Sequence, residues 1–268
     1  MIHLTSLSLP RIPIQYADSY PFSIPAVKTL TDLEFSAPVT FFVGENGSGK
    51  STLLESIAAA AGSITAGSDG VEQDATLASV RRLAGALKLS WTKRTRKGFF
   101  LRAEDYFGYV KRMAKIREGL EGDLREIDME FEGKSDYARG LARMPFLKEL
   151  HAMQERYGKD LDSYSHGESF YTFFRARFVP DGLYLLDEPE APLSPLRQLG
   201  FLTMLKEMVA HNAQFIIATH SPILLAYPGA TIYSFDAPPV AAVDFDSLEH
   251  VRITRDFLNN PDSFLQHL

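Results

Sequence analysis

The sequence contains no cysteine and no long apolar run, and both absences restrict what the protein can be. Without cysteine the chain forms neither disulfides nor thiolate metal sites, which suits a reducing compartment. No apolar run approaches the roughly 20 residues that span a bilayer, and the N-terminus lacks a charged segment followed by an apolar core. We therefore expect a soluble, cytoplasmic protein with no membrane insertion.

A net positive charge is also lacking, since 28 Lys and Arg face 34 Asp and Glu, for a formal charge of −6. This balance argues against capture of nucleic acid by overall charge, although a local basic patch remains open. One such patch is KRTRK at 93–97, beside Trp91. It predicts either a DNA contact or the solvated tip of a hairpin between strands at 87–92 and 98–102.

A phosphate-binding loop is the strongest pattern present. GENGSGKS at 44–51 fits G-x-x-x-x-G-K-[ST] at every fixed position, between the apolar run 39–43 and a helix-forming stretch, 52–61. Glycines allow successive backbone N–H groups to curl around phosphate oxygens, at the positive end of the new helix. Lys50 would reach the β- and γ-phosphates and Ser51 would ligate Mg²⁺, whereas the alternative is a plain glycine-rich turn. The residues predicted to contact ATP here are Gly44, Glu45, Asn46, Gly47, Ser48, Gly49, Lys50, Ser51 and Thr52.

Two further apolar runs end in polar side chains. GLYLL at 182–186 leads into Asp187 and Glu188, and QFIIAT at 214–219 leads into His220. The carboxyl ends of parallel strands share one edge of a sheet, where ligands collect. We predict that Asp187 binds Mg²⁺, that Glu188 is the general base for the attacking water, and that His220 senses the γ-phosphate. The alternatives are an acidic turn and a structural histidine.

The remaining segments predict the domain organisation. An α/β nucleotide-binding core at 1–104 and 160–268 holds an inserted helical lobe at 105–159, with breaks near Gly133 and Pro145. Tyr20 could stack on adenine, or its ring could simply cover the edge of the sheet. The strands and helices predicted after 231 carry no recognisable chemistry.

Taken together, these motifs resemble the ATP-binding-cassette (ABC) superfamily of ATPases. Walker A is at 44–51, and LYLLDEP at 183–189 is similar to Walker B with its catalytic glutamate. SHGE at 165–168 lies where the family signature belongs, and APLS at 191–194 lies in place of the D-loop. His220 is similar to the switch histidine. SHGES, DEPEAPLSP and ATHSP resemble the soluble AAA-labelled branch, with the overcoming-lysogenization-defect and chromosome-maintenance groups.

The resemblance implies a P-loop NTPase fold with a mixed sheet, and a homodimer that closes head to tail around two ATP molecules. Ser165 and Gly167 of one subunit would contact the nucleotide held by the other. Glu104 stands near the position of the Q-loop glutamine and would act as a third metal ligand beside Ser51 and Asp187. Three departures from the family pattern are Glu104 itself, His166 for a signature glycine, and Ser194 for the D-loop aspartate.

We therefore expect an ATPase whose catalytic residues are Lys50, Glu188 and His220, with a task in DNA maintenance or defence and DNA or a protein as partner. The first alternative is the nucleotide-binding subunit of an ABC transporter. A non-hydrolysing, nucleotide-gated binding module is the second alternative. A small-molecule kinase is disfavoured, because the acidic pair and the downstream histidine suit attack by water.

Overall fold

The structure is a computed structural model that describes residues 1–12, 14–65, 78–157 and 166–266. In these ranges the chain alternates strands and helices, as an α/β protein does, and no helix is long and apolar enough to cross a membrane. The strands are β1 (Leu4–Ser8), β2 (Asp32–Glu34), β3 (Val39–Val43), β4 (Lys88–Trp91), β5 (Gly98–Arg102), β6 (Leu183–Asp187), β7 (Gln214–Ala218), β8 (Thr231–Ser234) and β9 (Ala241–Ala242).

A six-stranded sheet with the order β5-β6-β7-β3-β8-β9 forms the centre of the molecule. All of its neighbouring strands pair in parallel except β8 and β9, so the sheet is mixed. Every residue of β3, β6 and β7 is buried, because both faces of this sheet are covered. These three strands are neighbours and parallel, so the residues that follow them meet at one edge.

The second sheet is small and antiparallel, with the order β2-β1-β4. Here the predicted hairpin is wrong, because β4 pairs with β1 of the small sheet while β5 pairs with β6 of the central one. The basic segment 93–97 therefore crosses between sheets. It is held to the core by Thr95, whose hydroxyl donates to the carbonyl of Asp181 at 2.8 Å.

Helices cover both faces of the central sheet. Their bounds are α1 (Pro25–Lys28), α2 (Lys50–Ala61), α3 (Ala78–Ala86), α4 (Ala103–Glu130), α5 (Asp136–Tyr157), α6 (His166–Arg177), α7 (Pro195–Ala210), α8 (Pro222–Leu225), α9 (Glu249–Asn259) and α10 (Pro261–Leu265). Two 3₁₀ turns lie at Ile14–Tyr16 and Phe245–Ser247.

The long helices α4 and α5 form the segment predicted as an inserted lobe. The predicted break near Gly133 is confirmed, since this glycine has a φ of 78° in the turn between them. The predicted break at Pro145 is wrong, because Pro145 lies inside α5. Its side chain is exposed, so water can satisfy the helix carbonyl that the missing N–H leaves free.

Two apolar clusters pack on opposite faces of the central sheet, as the alternation of side chains along each strand requires. One contains α2 and the small sheet. The other is rich in aromatic rings, and within it Phe174 of α6 contacts Phe170, Phe178 and Phe201 with ring centroids 4.6–4.9 Å apart. This packing fixes α6, which starts at the predicted signature, against the strands of the site.

Candidate functional site

The phosphate loop joins β3 to α2. Gly44, Gly47 and Gly49 have φ values of 145°, 84° and 106°, a region that favours glycine. A Cβ at Gly49 would also lie 2.8 Å from Cγ2 of Ile24. No side chain caps the start of α2, so its first N–H groups are free to bind an anion.

Lys50 lies under this loop and is almost completely buried. Its Nζ donates to the carbonyls of Gly44 at 2.6 Å and Glu45 at 2.9 Å, which holds the loop in its curl. Burial lowers the pKa of Lys50, while the carboxylates of Glu188 and Asp187 act in the opposite direction. The ammonium of Lys50 lies between the loop and these carboxylates, where its positive charge would stabilise a bound polyphosphate.

Asp187, the last residue of β6, reaches the start of α2. The Ser51 hydroxyl donates to Oδ1 of Asp187 at 3.1 Å, although 136 positions separate the two residues. Burial raises the pKa of Asp187 to about 7, against a smaller opposing effect of the Ser51 hydrogen bond. A buried carboxylate beside a hydroxyl offers the hard oxygen ligands that Mg²⁺ prefers, and a cation would offset the cost of burying the charge.

The donor set fits Mg²⁺ bound together with phosphate and water. In the described part of the chain, no group of three or more His, Asp or Glu could hold a metal alone. Mg²⁺ usually retains several waters and takes only one or two carboxylates plus substrate phosphates. Ser51 and Asp187 are thus the protein's contribution here, and the side chain of Glu104, at the start of α4, lies outside the described residues.

Glu188 follows with a positive φ of 49°, a strained conformation for a residue with a side chain. Its N–H donates to the carbonyl of Ala218 at 2.9 Å, which fixes the turn against β7. The carboxylate is half-exposed, and its Oε1 lies 4.0 Å from Nε2 of His220. The predicted base and the predicted sensor are therefore brought side by side, above the loop.

Glu190 positions His220 and was missed by the sequence predictions. Its Oε1 accepts a hydrogen bond from the His220 N–H at 2.9 Å. Burial raises the pKa of Glu190, and its hydrogen bonds with Thr219 and His220 oppose that rise. The one sequence signal was an acidic residue two positions after Glu188, inside a Pro-rich turn.

A cavity of about 840 Å³ lies over the phosphate loop, and its far wall is formed by the end of the chain. Asp236, after β8, accepts from the N–H of Glu45 at 2.7 Å. Glu249, His250 and Ile253 of α9 line the same cavity. Long-range packing thus brings to the loop a segment in which the sequence shows no recognisable chemistry.

Tyr20 and Arg102 border the site. The ring of Tyr20 is exposed and its hydroxyl lies 3.2 Å from Oγ1 of Thr52, so its stacking on adenine stays a prediction. Arg102, two residues before Glu104, contacts Glu55 at 3.3 Å and Asp105 at 2.8 Å. This buried ion-pair network joins α2 to the first turn of α4.

The predicted signature at 165–168 lies only partly within the described residues. Ser165 falls outside the described residues, whereas Gly167 is the second residue of α6. Ser194 is exposed at the start of α7 and makes no capping hydrogen bond. The contacts predicted for Ser165 and Gly167 with a second subunit therefore stay predictions.

The raised pKa of Asp187 predicts a stability effect in the nucleotide-free protein. Because the pKa of about 7 in the folded protein exceeds the ordinary value of 3.8, the stability that Asp187 contributes is present at low pH and lost as the pH rises through 7. Asp187→Asn should therefore raise the free energy of unfolding at pH 8, by at most about 4 kcal/mol, and leave it nearly unchanged at pH 4. Urea unfolding at both pH values measures this, and an equal effect at both would contradict it.

Two protein-family models match the chain. A model described as AAA domain matches residues 20–141, which include the phosphate loop. A second AAA domain model, whose description also names the AbiEii toxin of a type IV TA system, matches residues 169–226. That stretch includes Asp187, Glu188 and His220. No curated protein matches the chain.

Several solved structures are similar to the chain at low identity. A nucleotide-free ATP-binding cassette from an ABC transporter is 17% identical, with 85% of this chain and 88% of that chain covered and a TM-score of 0.44. CbiO1 from Clostridium perfringens, part of the ABC transporter complex CbiONQ, is 16% identical, with both chains covered to 100% and a TM-score of 0.47. An ATP-binding subunit of an ABC transporter is 19% identical over 85% of each chain, with a TM-score of 0.39.

The two family models cover separate parts of the sequence, and the phosphate loop, both carboxylates and His220 all fall within them. The chain is thus similar to AAA domain models in two separate parts, which agrees with the AAA-labelled resemblance that its motifs predict.

Proposed function

We propose that this protein hydrolyses ATP to ADP and phosphate in the site formed by the phosphate loop, Asp187, Glu188 and His220. The observation that carries the proposal is the 3.1 Å hydrogen bond between Ser51 and Asp187. It joins the loop to the acidic strand end at the point where hydroxyl and carboxylate oxygens suit Mg²⁺. The matched AAA domain models support the same reaction.

The residues divide the work of phosphoryl transfer to water. Backbone N–H groups of the loop and the ammonium of Lys50 bind and orient the phosphates, which is most of what this reaction requires. Ser51 and Asp187, with Glu104 as a proposed third ligand, would hold Mg²⁺, which would supply positive charge against the phosphate oxygens.

Glu188 then accepts a proton from the attacking water, and its fixed turn holds the carboxylate above the loop. His220 lies beside it and donates a hydrogen bond to the outer phosphate or to that water. Burial lowers the pKa of His220, and the nearby ammonium of Lys50 lowers it further. The lowered pKa favours the neutral imidazole, in which one ring nitrogen still carries a donor proton.

We also propose that hydrolysis needs two copies of the chain packed head to tail. The side chains of His220 and Glu188 are 40% and 48% exposed, so a single copy leaves the reacting water open to solvent. A second copy would exclude bulk water and contribute Ser165 and Gly167, which strengthens the electrostatic contacts inside the site. Helices α4 and α5, as an inserted lobe at 105–159, would transmit closure to a DNA or protein partner in DNA maintenance or defence.

Phosphate release across a range of protein concentrations tests both parts of the proposal. With ATP and Mg²⁺ the specific activity should rise with protein concentration until the dimer is saturated, and EDTA should abolish it. A specific activity that is independent of concentration, with only monomer in light scattering, would remove the dimer and leave the ATPase. Absence of any Mg²⁺-dependent phosphate release would overturn the ATPase itself.

A transporter subunit is the second candidate function. The observation that favours it is a set of exposed apolar side chains on α4 and α5, which gives another protein a face to bind. These side chains are Ile116, Met129, Leu141, Met144 and Leu147. Co-purification with a membrane permease would favour this candidate, and stimulation of hydrolysis by duplex DNA would favour DNA maintenance.

A further inference from the structure

The first turn of α9 is fixed against the core beside the phosphate loop. Leu248 and Val251 are buried in the aromatic cluster, which anchors this turn on the central sheet. His250 and Ile253, three positions apart, consequently lie on the helix face that lines the cavity above Gly44–Ser48. His250 therefore reaches the cavity from a rigid element.

The imidazole of His250 has an unused hydrogen-bonding atom. Its Nε2 is buried and has no hydrogen-bond partner among the described residues, and the same is true of Nε2 of His220. An unsatisfied buried polar atom costs about 1–3 kcal/mol and calls for an explanation. Both histidines line the same cavity, so a turn of each side chain would bring its Nε2 to one ligand placed over the loop.

Charges of both signs surround His250. It faces Lys50 from α2, Glu45 from the loop, His220 from the end of β7 and Asp236 from the end of β8, with Glu249 on its own helix. Burial lowers the pKa of His250, Asp236 opposes this and Lys50 adds to it. Asp236 is already engaged, because its two carboxylate oxygens accept from the N–H of Glu45 and the hydroxyl of Ser234.

We propose that His250 is a second phosphate-binding histidine, which donates a hydrogen bond from Nε2 to the outer phosphate of a nucleoside triphosphate held in the loop. This inference rests on the proposed function, because it requires a nucleotide there. It adds a triphosphate-specific contact from the C-terminal part of the chain, opposite His220. The contact is made to the outer phosphate, which a diphosphate lacks, so on this proposal His250 distinguishes the two nucleotides.

The contact makes triphosphate binding depend on pH. A bound polyphosphate raises the pKa of His250 above its lowered value in the free protein, so binding takes up a proton. The additional affinity for the triphosphate is present below the pKa of His250 in the free protein. It is lost as the pH rises through the pKa of His250 in the complex. A neutral imidazole retains a weaker hydrogen bond above that range.

Calorimetric titration of the full-length protein with Mg²⁺ and AMPPNP or ADP, at pH 6 and pH 8, tests the proposal. A hydrogen bond to a charged group corresponds to about a tenfold change in affinity. His250→Ala should therefore weaken AMPPNP binding about tenfold at pH 6 and change ADP binding less than twofold. His250→Gln should bind AMPPNP like the wild type at pH 8 and more weakly than the wild type at pH 6. This variant should also abolish the proton uptake on binding, which titrations in two buffers of different ionisation enthalpy measure.

His211→Ala is the matched control, since this histidine is exposed at the end of α7 and its ring bonds to the carbonyl of Glu207. An unchanged AMPPNP-to-ADP affinity ratio in His250→Ala at pH 6 would overturn the inference. If the wild type binds neither nucleotide, or if Lys50→Ala binds both nucleotides as tightly as the wild type does, the proposed function fails as well. Histidine NMR of the wild type, with a rise in the His250 pKa on adding AMPPNP, checks the result without a variant.

Discussion

Replacing Glu188 by glutamine is expected to reduce ATP hydrolysis about 10²- to 10⁴-fold, the range that removal of a general base produces. The amide keeps the size of the side chain, and the turn is held by the backbone N–H of Glu188 and not by its carboxylate. ATP binding should therefore be retained. Because the closed state is no longer released by hydrolysis, a dimer should accumulate in the presence of Mg²⁺ and ATP.

Phosphate release and light scattering measure the two effects of Glu188→Gln. Glu207→Gln is the matched control, because Glu207 lies exposed on α7, away from the loop. Its activity should equal that of the wild type. Turnover in Glu188→Gln at more than a tenth of the wild-type rate would show that another group activates the water.

Lys50→Ala is expected to abolish turnover and to weaken ATP binding by at least about tenfold, since it removes a buried charged donor to the phosphates. The effect has a second component in this structure. The Nζ atom also bonds to the carbonyls of Gly44 and Glu45, so the loop loses the contacts that hold its curl. The variant therefore loses both a contact to the phosphates of ATP and the loop conformation that positions them.

Fluorescent-nucleotide titration and phosphate release check the Lys50 prediction, with thermal unfolding to show that the variant is folded. Lys206→Ala is the control, since Lys206 is an exposed lysine on α7. Retention of wild-type turnover in Lys50→Ala would place the reaction elsewhere in the molecule.

The strands of the site could be predicted because each is an unbroken apolar run that ends in polar residues. In β3, β6 and β7 all five residues are buried, so the pattern of each run agrees with its place in a two-sided parallel sheet. The phosphate loop could be predicted from its glycines and Lys50 alone, because the backbone geometry itself requires them.

The partner of β4 could not be predicted in the same way. Leu89 pairs with Leu7, more than 80 positions earlier, whereas a local hairpin with β5 was the expectation. Both arrangements suit the alternating pattern of the strand, and only the packing of the small sheet on α2 and α3 decides between them. The identity of a strand's neighbour is a property of the whole core.

Glu190, Asp236 and His250 were missed because their roles come from contacts over long stretches of chain. Asp236 bonds to the N–H of Glu45, 191 positions away. His250 stands in an ordinary amphipathic helix, and its sequence neighbours contain no motif. Such residues can be identified only from the three-dimensional structure of the cavity over the loop.

The most direct test of the account is a crystal structure of Glu188→Gln with ATP and Mn²⁺ in place of Mg²⁺. We predict a triphosphate wrapped by Gly44–Ser51, with an anomalous manganese peak in contact with both Ser51 Oγ and an Asp187 oxygen. A triphosphate bound outside the loop, or a manganese ion that touches neither Ser51 nor Asp187, would contradict the central claim.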